Sequence, residues 1–141
     1  MMFPPLARVR QSMPRPVVSD VAGTVRRLIL ESRLRERVPA GGTVAVGVGS
    51  RGITVIPRVA RAAVDALKEM GLRPFIVAAM GSHGGATAEG QRELLAGYGV
   101  TPETMGVPVR TDMETVVLGT SPVGLPIYFD RNAYEIGRAH V

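Results

Sequence analysis

The feature that most constrains the fold is a pair of short apolar runs, each ending in a glycine-rich segment. The first run covers residues 43–48 and leads into Gly49-Ser-Arg-Gly52; the second covers residues 72–79 and leads into Gly81-Ser-His-Gly-Gly85. An amphipathic stretch with apolar residues at helical spacing follows each segment. Strand, glycine loop and helix in this order predict right-handed crossovers and a parallel sheet, so we expect an α/β fold.

Three residues in these loops are candidates for a functional site. Loops that follow neighbouring parallel strands open at one edge of the sheet, where ligands of α/β proteins usually bind. We therefore expect Ser50 and Arg51 of the first loop to face the same cleft as His83 of the second. The glycines allow close backbone approach to a ligand, and the helix that follows offers N–H groups to an anion. On the local pattern alone, His83 is equally well interpreted as a polar surface residue.

The remaining elements are predicted from caps, prolines and periodicity. Ser19 or Asp20 can cap a helix that runs to about Arg37, Pro57 suits the first turn of a helix, and Thr87 can cap the helix after the second loop. Further along the chain we expect a helical turn at residues 101–104, a strand at residues 107–110, and a hairpin formed by residues 114–118 and 125–129. Four prolines predict an extended arm over residues 1–18.

Composition and charge exclude several kinds of protein. A chain of 141 residues with 45% hydrophobic content can fill one core, and the absence of cysteine excludes disulfides and thiolate metal sites. No apolar run can span a bilayer and no signal peptide is recognisable, so we expect a cytoplasmic protein without a membrane partner. The net charge is +5, but carboxylates interrupt the arginines and aromatic residues do not accompany them. We therefore expect no nucleic-acid partner, although a basic binding module remains an alternative.

A dinucleotide-binding module is a second alternative. The segment Gly47-Val-Gly-Ser-Arg-Gly52 fits the G-x-G-x-x-G pattern after a strand. However, the following helix is predicted to begin only near Pro57, and the second strand ends without the acidic residue that would hold a ribose. A second glycine loop that contains a histidine is also foreign to this pattern. The alternative interpretation is that these glycines only form a tight turn.

Three segments carry a resemblance to a known family. They are Val46-Gly-Val-Gly-Ser-Arg-Gly-Ile53, Ala79-Met-Gly-Ser-His-Gly-Gly-Ala-Thr-Ala-Glu-Gly-Gln-Arg-Glu-Leu-Leu95 and Tyr128-Phe-Asp-Arg-Asn-Ala-Tyr134. Through them, residues from about 17 to 135 resemble the N-terminal part of the lactate-racemase-like family, whose enzymes use a nickel-pincer nucleotide. The Gly-Ser-His-Gly-Gly-Ala-Thr block is the specific part of the resemblance.

The resemblance implies a fold and an activity. The fold is an incomplete N-terminal domain of a two-domain enzyme, with a Rossmann-like parallel sheet, flanking helices and a C-terminal β-hairpin. Residues 1–18 would form the arm and residues 19–135 the partial domain. The activity is that of an isomerase, a racemase or epimerase of a small anionic 2-hydroxy acid. The reaction proceeds by hydride transfer to and from the nickel-pincer nucleotide.

The resemblance also implies roles for individual residues. His83 matches the histidine that acts as general acid and base on the substrate hydroxyl, which suits imidazole because it exchanges protons near neutral pH. Arg51 matches the arginine that helps hold the anionic substrate or cofactor, and a guanidinium can bind a carboxylate in two places. The other implied contacts with substrate or cofactor are Ser50, Gly52, Gly81, Ser82, Gly84 and Thr87.

The chain departs from the family pattern in two ways. Val48 stands where the racemases proper carry aspartate, which leaves open a 2-hydroxy acid other than lactate. The family's modified lysine, its nickel-binding histidine and its second catalytic histidine lie beyond the matching segment, so we expect no metal ligand here. The last six residues, Ile136-Gly-Arg-Ala-His-Val141, resemble a translated sequencing adapter and are expected to be a non-native tail. We expect the chain by itself to be catalytically inactive.

Overall fold

A three-stranded parallel sheet with flanking helices and a separate two-stranded antiparallel hairpin make up the chain. The computed structural model describes residues 8–14, 16–51 and 53–136. The parallel strands are β1 (Thr43–Val48), β2 (Arg73–Ala78) and β3 (Val109–Arg110), and the hairpin is formed by β4 (Thr115–Thr120) and β5 (Pro126–Asp130). The helices are α1 (Val21–Leu30), α2 (Leu34–Arg37), α3 (Ile56–Glu69), α4 (Ala88–Gly97), α5 (Pro102–Met105) and α6 (Arg131–Tyr134).

The parallel sheet confirms the predicted α/β architecture. Its strand order is β1-β2-β3, and β1 pairs with β2 in register from Thr43 opposite Arg73 to Val48 opposite Ala78. The carboxyl ends of β1 and β2 therefore lie side by side. The loops that follow these two strands emerge next to each other, as parallel pairing requires.

The core lies between α3, the sheet and α4. Buried positions on α3 recur every three or four residues, at Ile56, Ala60, Val64 and Leu67, which is the spacing of one helix face. The first three of these residues pack in a cluster with Ile76 of β2 and Leu95 of α4. The largest fully buried side chains are those of Ile76, Leu95, Val64 and Val100.

Two predicted elements differ from the structure. The single helix expected to reach Arg37 stops at Leu30 and resumes at Leu34. Ser32 explains the interruption, because its hydroxyl donates to the carbonyl of Ile29 at 2.6 Å and so competes with the helical backbone. The strand expected at residues 107–110 is only two residues long, and the backbone nitrogen of Pro108 cannot donate to the ladder. The start of α1 agrees with the prediction, since Asp20 accepts a hydrogen bond from the backbone of Gly23.

The C-terminal hairpin is present and leaves much apolar surface exposed. Strands β4 and β5 pair antiparallel, with an irregularity between Val117 and Gly119. The most exposed apolar side chains on this hairpin belong to Val117, Val123, Leu125 and Tyr128. The described parts of the arm, residues 8–14 and 16–18, contain no helix or strand, while the rest of that prediction falls outside the described residues. Within the described ranges no helix has the length and apolar character to cross a membrane.

Candidate functional site

The candidate site lies where β1 and β2 end. Ser50 follows the end of β1 and His83 lies in the loop after β2. The Ser50 hydroxyl and Nδ1 of His83 are hydrogen-bonded, and Ser50 is 8% exposed. The expectation that these two loops meet is therefore confirmed for Ser50 and His83. The parallel register of the two strands brings them together.

The loop after His83 turns back sharply through three left-handed residues. Gly84, Gly85 and Ala86 have φ angles of 66°, 67° and 55°. Ala86 is the one residue among the three for which this conformation is unfavourable, and its backbone N–H donates to the carbonyl of Ser82 at 3.0 Å. The turn brings the loop directly onto the beginning of α4.

The loop and the first turn of α4 touch through their backbones. A Cβ atom at Gly84 would lie 2.4 Å from the carbonyl carbon of Gly90, and a Cβ at Gly90 would lie 1.9 Å from the oxygen of Gly84. Neither position has space for a side chain. These two glycines are therefore needed for the close approach between loop and helix, a role that sequence reasoning did not assign to Gly90.

Thr87 caps α4, as predicted. Its hydroxyl accepts from the backbone N–H of Gly90 at 3.0 Å and donates to the carbonyl of Gly84 at 3.1 Å. The hydroxyl is thus used within the loop and helix. Contact between Thr87 and a ligand, which the family resemblance implies, stays a prediction.

Two side chains, one on α4 and one at the residue that caps its C-terminus, reach the loops, and sequence reasoning missed both. The side chain of Gln91, which is 3% exposed, donates from Nε2 to the carbonyl of Gly81 at 2.8 Å and, more weakly, to that of His83 at 3.4 Å. The Tyr98 hydroxyl donates to the carbonyl of Ser50 at 2.7 Å. A signal for Gln91 did exist, because Leu94 and Leu95 follow it by three and four residues and lie on the same helix face.

Arg51 lies at the edge of an apolar pocket between β1 and α3. The pocket has a volume of about 150 Å³, and Arg51 is its one charged lining residue. The Arg51 side chain is exposed, and it forms no hydrogen bond or ion pair with the residues that the structure describes. The apolar lining comprises Val46, Val48, Ile53, Ile56, Val59, Ala60 and Ala63.

Of the other residues predicted to contact a ligand, the structure describes Gly81 and Ser82 but not Gly52. Gly81 and Ser82 are exposed beside His83, and Gly81 has a φ of 59°. Gly52 lies outside the described residues. Val48, at the position where the family resemblance would place an aspartate, is 5% exposed and packs in the core. No carboxylate therefore approaches the site from this position.

The arrangement has the parts of a proton-transfer site. When Nδ1–H of His83 donates to the Ser50 oxygen, Nε2 carries the lone pair and can take a proton. The same hydrogen bond persists after Nε2 is protonated, so Ser50 can stabilise the imidazolium and hold its ring orientation. A base that is itself oriented by a third group is a common arrangement in catalysis.

The structure bears on the metal and dinucleotide interpretations as well. Among the described residues, no three histidine or acidic side chains come close enough together to hold a metal ion. Strand β2 ends at Ala78, directly beside β1, and carries no acidic residue there for a ribose. Helix α3 begins at Ile56, four residues after the third glycine of the motif. These features do not favour a dinucleotide at this edge.

Three of the five arginines between residues 26 and 37 face carboxylates. Arg26 forms an ion pair with Glu69 at 2.6 Å, Arg27 with Glu31 at 3.1 Å, and Arg33 reaches the carboxylate of Glu36 at 3.9 Å. Such pairing reduces the positive charge that this face presents. It does not favour the nucleic-acid interpretation.

Comparison with known proteins adds no family assignment: no protein-family model, no curated protein and no solved structure matches the chain.

Proposed function

We propose that the chain is the N-terminal part of a two-domain, Rossmann-like enzyme that racemises or epimerises a 2-hydroxy acid, as its resemblance to the lactate-racemase-like family implies. The observation that supports this proposal most is the hydrogen bond between Ser50 and Nδ1 of His83 at the carboxyl ends of two adjacent parallel strands. A histidine oriented in this way suits a reaction that removes a proton from a hydroxyl group and later returns it.

In this proposal His83 is the general acid and base. Its Nε2 accepts the hydroxyl proton as the substrate is oxidised and returns that proton when the hydroxy acid re-forms. Ser50 keeps Nδ1 hydrogen-bonded in both protonation states, so the ring need not reorient between the two steps. Arg51 supplies the positive charge for the carboxylate, and a guanidinium can bind that group in a bidentate manner.

The nickel-pincer nucleotide supplies the hydride chemistry when it is bound. The described residues fit the substrate side of such a site, with a proton-transfer group and a cation, but they do not form a metal-binding group. We propose that the nickel ligands belong to a part of the enzyme outside these residues. The contribution of the described residues is to bind the acid and to move its proton.

The pocket beside Arg51 suggests which acid binds. A cavity of about 150 Å³ can hold a benzene-sized group, and its lining is aliphatic apart from Arg51. With the carboxylate on Arg51, an apolar substituent of the acid would enter this pocket. Val48 offers an apolar wall where the racemases proper carry an aspartate, which agrees with a substrate more apolar than lactate.

The proposal is tested in the complete enzyme loaded with its cofactor. His83→Gln should abolish interconversion of 2-hydroxy-acid enantiomers, because Gln cannot exchange a proton at this position, while the nickel content stays that of wild type. Glu93→Gln, on the exposed side of α4, is the matched control and should retain full turnover. Near-normal turnover of His83→Gln would refute the assigned role. Binding of NAD(H) to the chain, seen as a change in nicotinamide fluorescence, would favour the dinucleotide alternative.

A further inference from the structure

Helix α4 and its C-cap residue are connected by side-chain hydrogen bonds to both loops of the candidate site. Gln91 binds carbonyls of the loop after β2, and Tyr98 binds the carbonyl of Ser50 in the loop after β1. The two residues are seven positions apart, which is about two helical turns and 10 Å along the axis. They therefore lie on one side of α4, and one helix face reaches both loops.

The Gln91 side chain is buried, and its orientation is fixed by its partners. Both partners are carbonyl oxygens, those of Gly81 and His83, so the amide nitrogen must face them. A buried amide that loses its partners is strongly disfavoured, because the polar group would be left without water or protein to replace them. The hydrogen bond at 2.8 Å to Gly81 therefore holds the loop just before His83.

The loop needs such a restraint. Gly81, Gly84 and Gly85 all have positive φ angles, and glycine can leave this conformation for many others without steric cost. The contact of Gly84 with Gly90 holds the loop after His83, and the Gln91 amide holds it before and at His83. Tyr98 restrains Ser50, the hydrogen-bond partner of His83. It fixes the backbone of Ser50, while the Ser50 hydroxyl contacts Nδ1 of His83.

From this geometry we propose that Gln91 and Tyr98 are positioning residues that jointly set the hydrogen bond between Ser50 and His83, and that the Ser50 oxygen held in this way accepts from Nδ1–H, which leaves the lone pair of the imidazole on Nε2. The inference rests on the proposed role of His83 in proton transfer. It deepens that role by naming the two side chains that keep Nε2 unprotonated and therefore able to accept the proton of the substrate hydroxyl. Neither residue needs to touch the substrate.

The test uses the state of the imidazole itself, which can be observed without turnover. The chain has two histidines, His83 and His140, so a ¹⁵N correlation spectrum of the imidazoles is simple, and His140→Gln assigns it. Gln91→Met keeps the length of the side chain but removes its donors, and Tyr98→Phe removes only the hydroxyl. Glu93→Gln is again the control on the same helix.

We expect the neutral tautomer with its proton on Nδ1 to dominate for His83 in wild type and in the control, because only this tautomer leaves Nε2 free to accept a proton. Dominance of the Nε2–H tautomer in wild type would overturn the inference. In Gln91→Met and in Tyr98→Phe the tautomer ratio should shift towards that of free imidazole by about twofold to tenfold, the factor equivalent to one hydrogen bond. Tautomer ratios that equal wild type in both variants, with the fold intact by circular dichroism, would overturn the inference. If Gln91→Met fails to fold, the tautomer ratio of Tyr98→Phe alone decides between the two results.

The two proposals fail in different ways. Loss of the tautomer preference together with unaffected turnover of His83→Gln in the complete enzyme would refute the proposed function and leave the positioning role standing. An unchanged tautomer ratio in the Gln91 and Tyr98 variants together with loss of turnover in His83→Gln would refute the positioning role and leave the proposed function standing. In the complete enzyme, Gln91→Met should lower kcat more than it raises KM, since the residue acts on proton transfer and not on substrate binding.

Discussion

The contact between the His83 loop and α4 leads us to predict that a glycine-to-alanine substitution in this helix lowers the free energy of unfolding, which is the opposite of the usual effect. Replacing a glycine within a helix by alanine ordinarily stabilises a protein, because alanine has the higher helix propensity by about 1 kcal/mol. Helix α4 contains Gly90 in its first turn and Gly97 at its last position. We expect Gly97→Ala to follow the usual rule and Gly90→Ala to violate it.

The structure gives the reason and the magnitude. A Cβ at Gly97 would have no heavy atom within 4 Å, whereas a Cβ at Gly90 would lie 1.9 Å from the carbonyl oxygen of Gly84. That oxygen belongs to the backbone, so no side-chain rotation relieves the overlap. Overpacking typically costs about 1–3 kcal/mol and sometimes more. We expect Gly97→Ala to be up to about 1 kcal/mol more stable than wild type. A distance of 1.9 Å to a backbone atom places Gly90→Ala at the upper end of the overpacking cost, so after the gain in propensity is subtracted it should be about 2 kcal/mol less stable than wild type.

Urea unfolding followed by far-ultraviolet circular dichroism measures both free energies of unfolding. The two variants act as each other's control, because they make the same substitution in the same helix. The imidazole resonances of His83 should move in Gly90→Ala and stay in place in Gly97→Ala, since only the first displaces the loop. A Gly90→Ala protein at least as stable as wild type would refute the backbone contact and with it the account of how the loop is held.

Three further predictions concern the loop after His83, the core, and the stability of the protein at acid pH. Gly84→Ala should lower the Tm by several degrees more than Gly85→Ala, because both have positive φ but only Gly84 would place Cβ against backbone, 2.4 Å from its nearest atom; equal melting temperatures would contradict this. Leu95→Ala should cost about 2–5 kcal/mol in urea unfolding, since this side chain of α4 is 0% exposed, and a cost below about 1 kcal/mol would contradict the packing described. The pKa of Glu103 lies below its ordinary value of 4.5 because the Thr101 hydroxyl and the Glu103 backbone N–H hydrogen-bond its carboxylate. The resulting stabilisation is present above that pH and is lost as the pH falls through the folded-state pKa, so thermal melts of wild type and Glu103→Gln should converge in acid.

Local sequence signals were sufficient for most of the sheet and its helices. The run at residues 43–48 is β1 itself, because β-branched residues between glycines favour a short strand. The expectation that this strand is buried is wrong, since Val48 is its one buried residue. Pro57 lies in the first turn of α3 and Thr87 caps α4, since both depend only on backbone groups within the next few residues. The meeting of Ser50 with His83 followed from parallel pairing alone.

Other features could not be predicted, because a local signal was ambiguous or because the contact is distant in the sequence. The break after α1 is set by the Ser32 hydroxyl. This contact is local, but propensity alone does not decide whether a serine at this position stays in the helix or forms a turn. The role of Gly90 depends on where the loop returns, and the role of Tyr98 depends on a carbonyl 48 residues earlier. Gln91 sits on an apolar helix face, which signals burial but does not identify its partners.

The pocket beside Arg51 and the hydrogen bonds around His83 are built on different helices. Residues of α3, among them Val59 and Ala63, form a wall of the pocket, whereas Gln91 lies on α4 and Tyr98 directly after it. Alterations of pocket size at Ala63 would therefore leave the restraints on the imidazole in place. In the proposed function, this division would let the accepted ligands change without rebuilding the proton-transfer group, and laboratory evolution of specificity would best begin on α3.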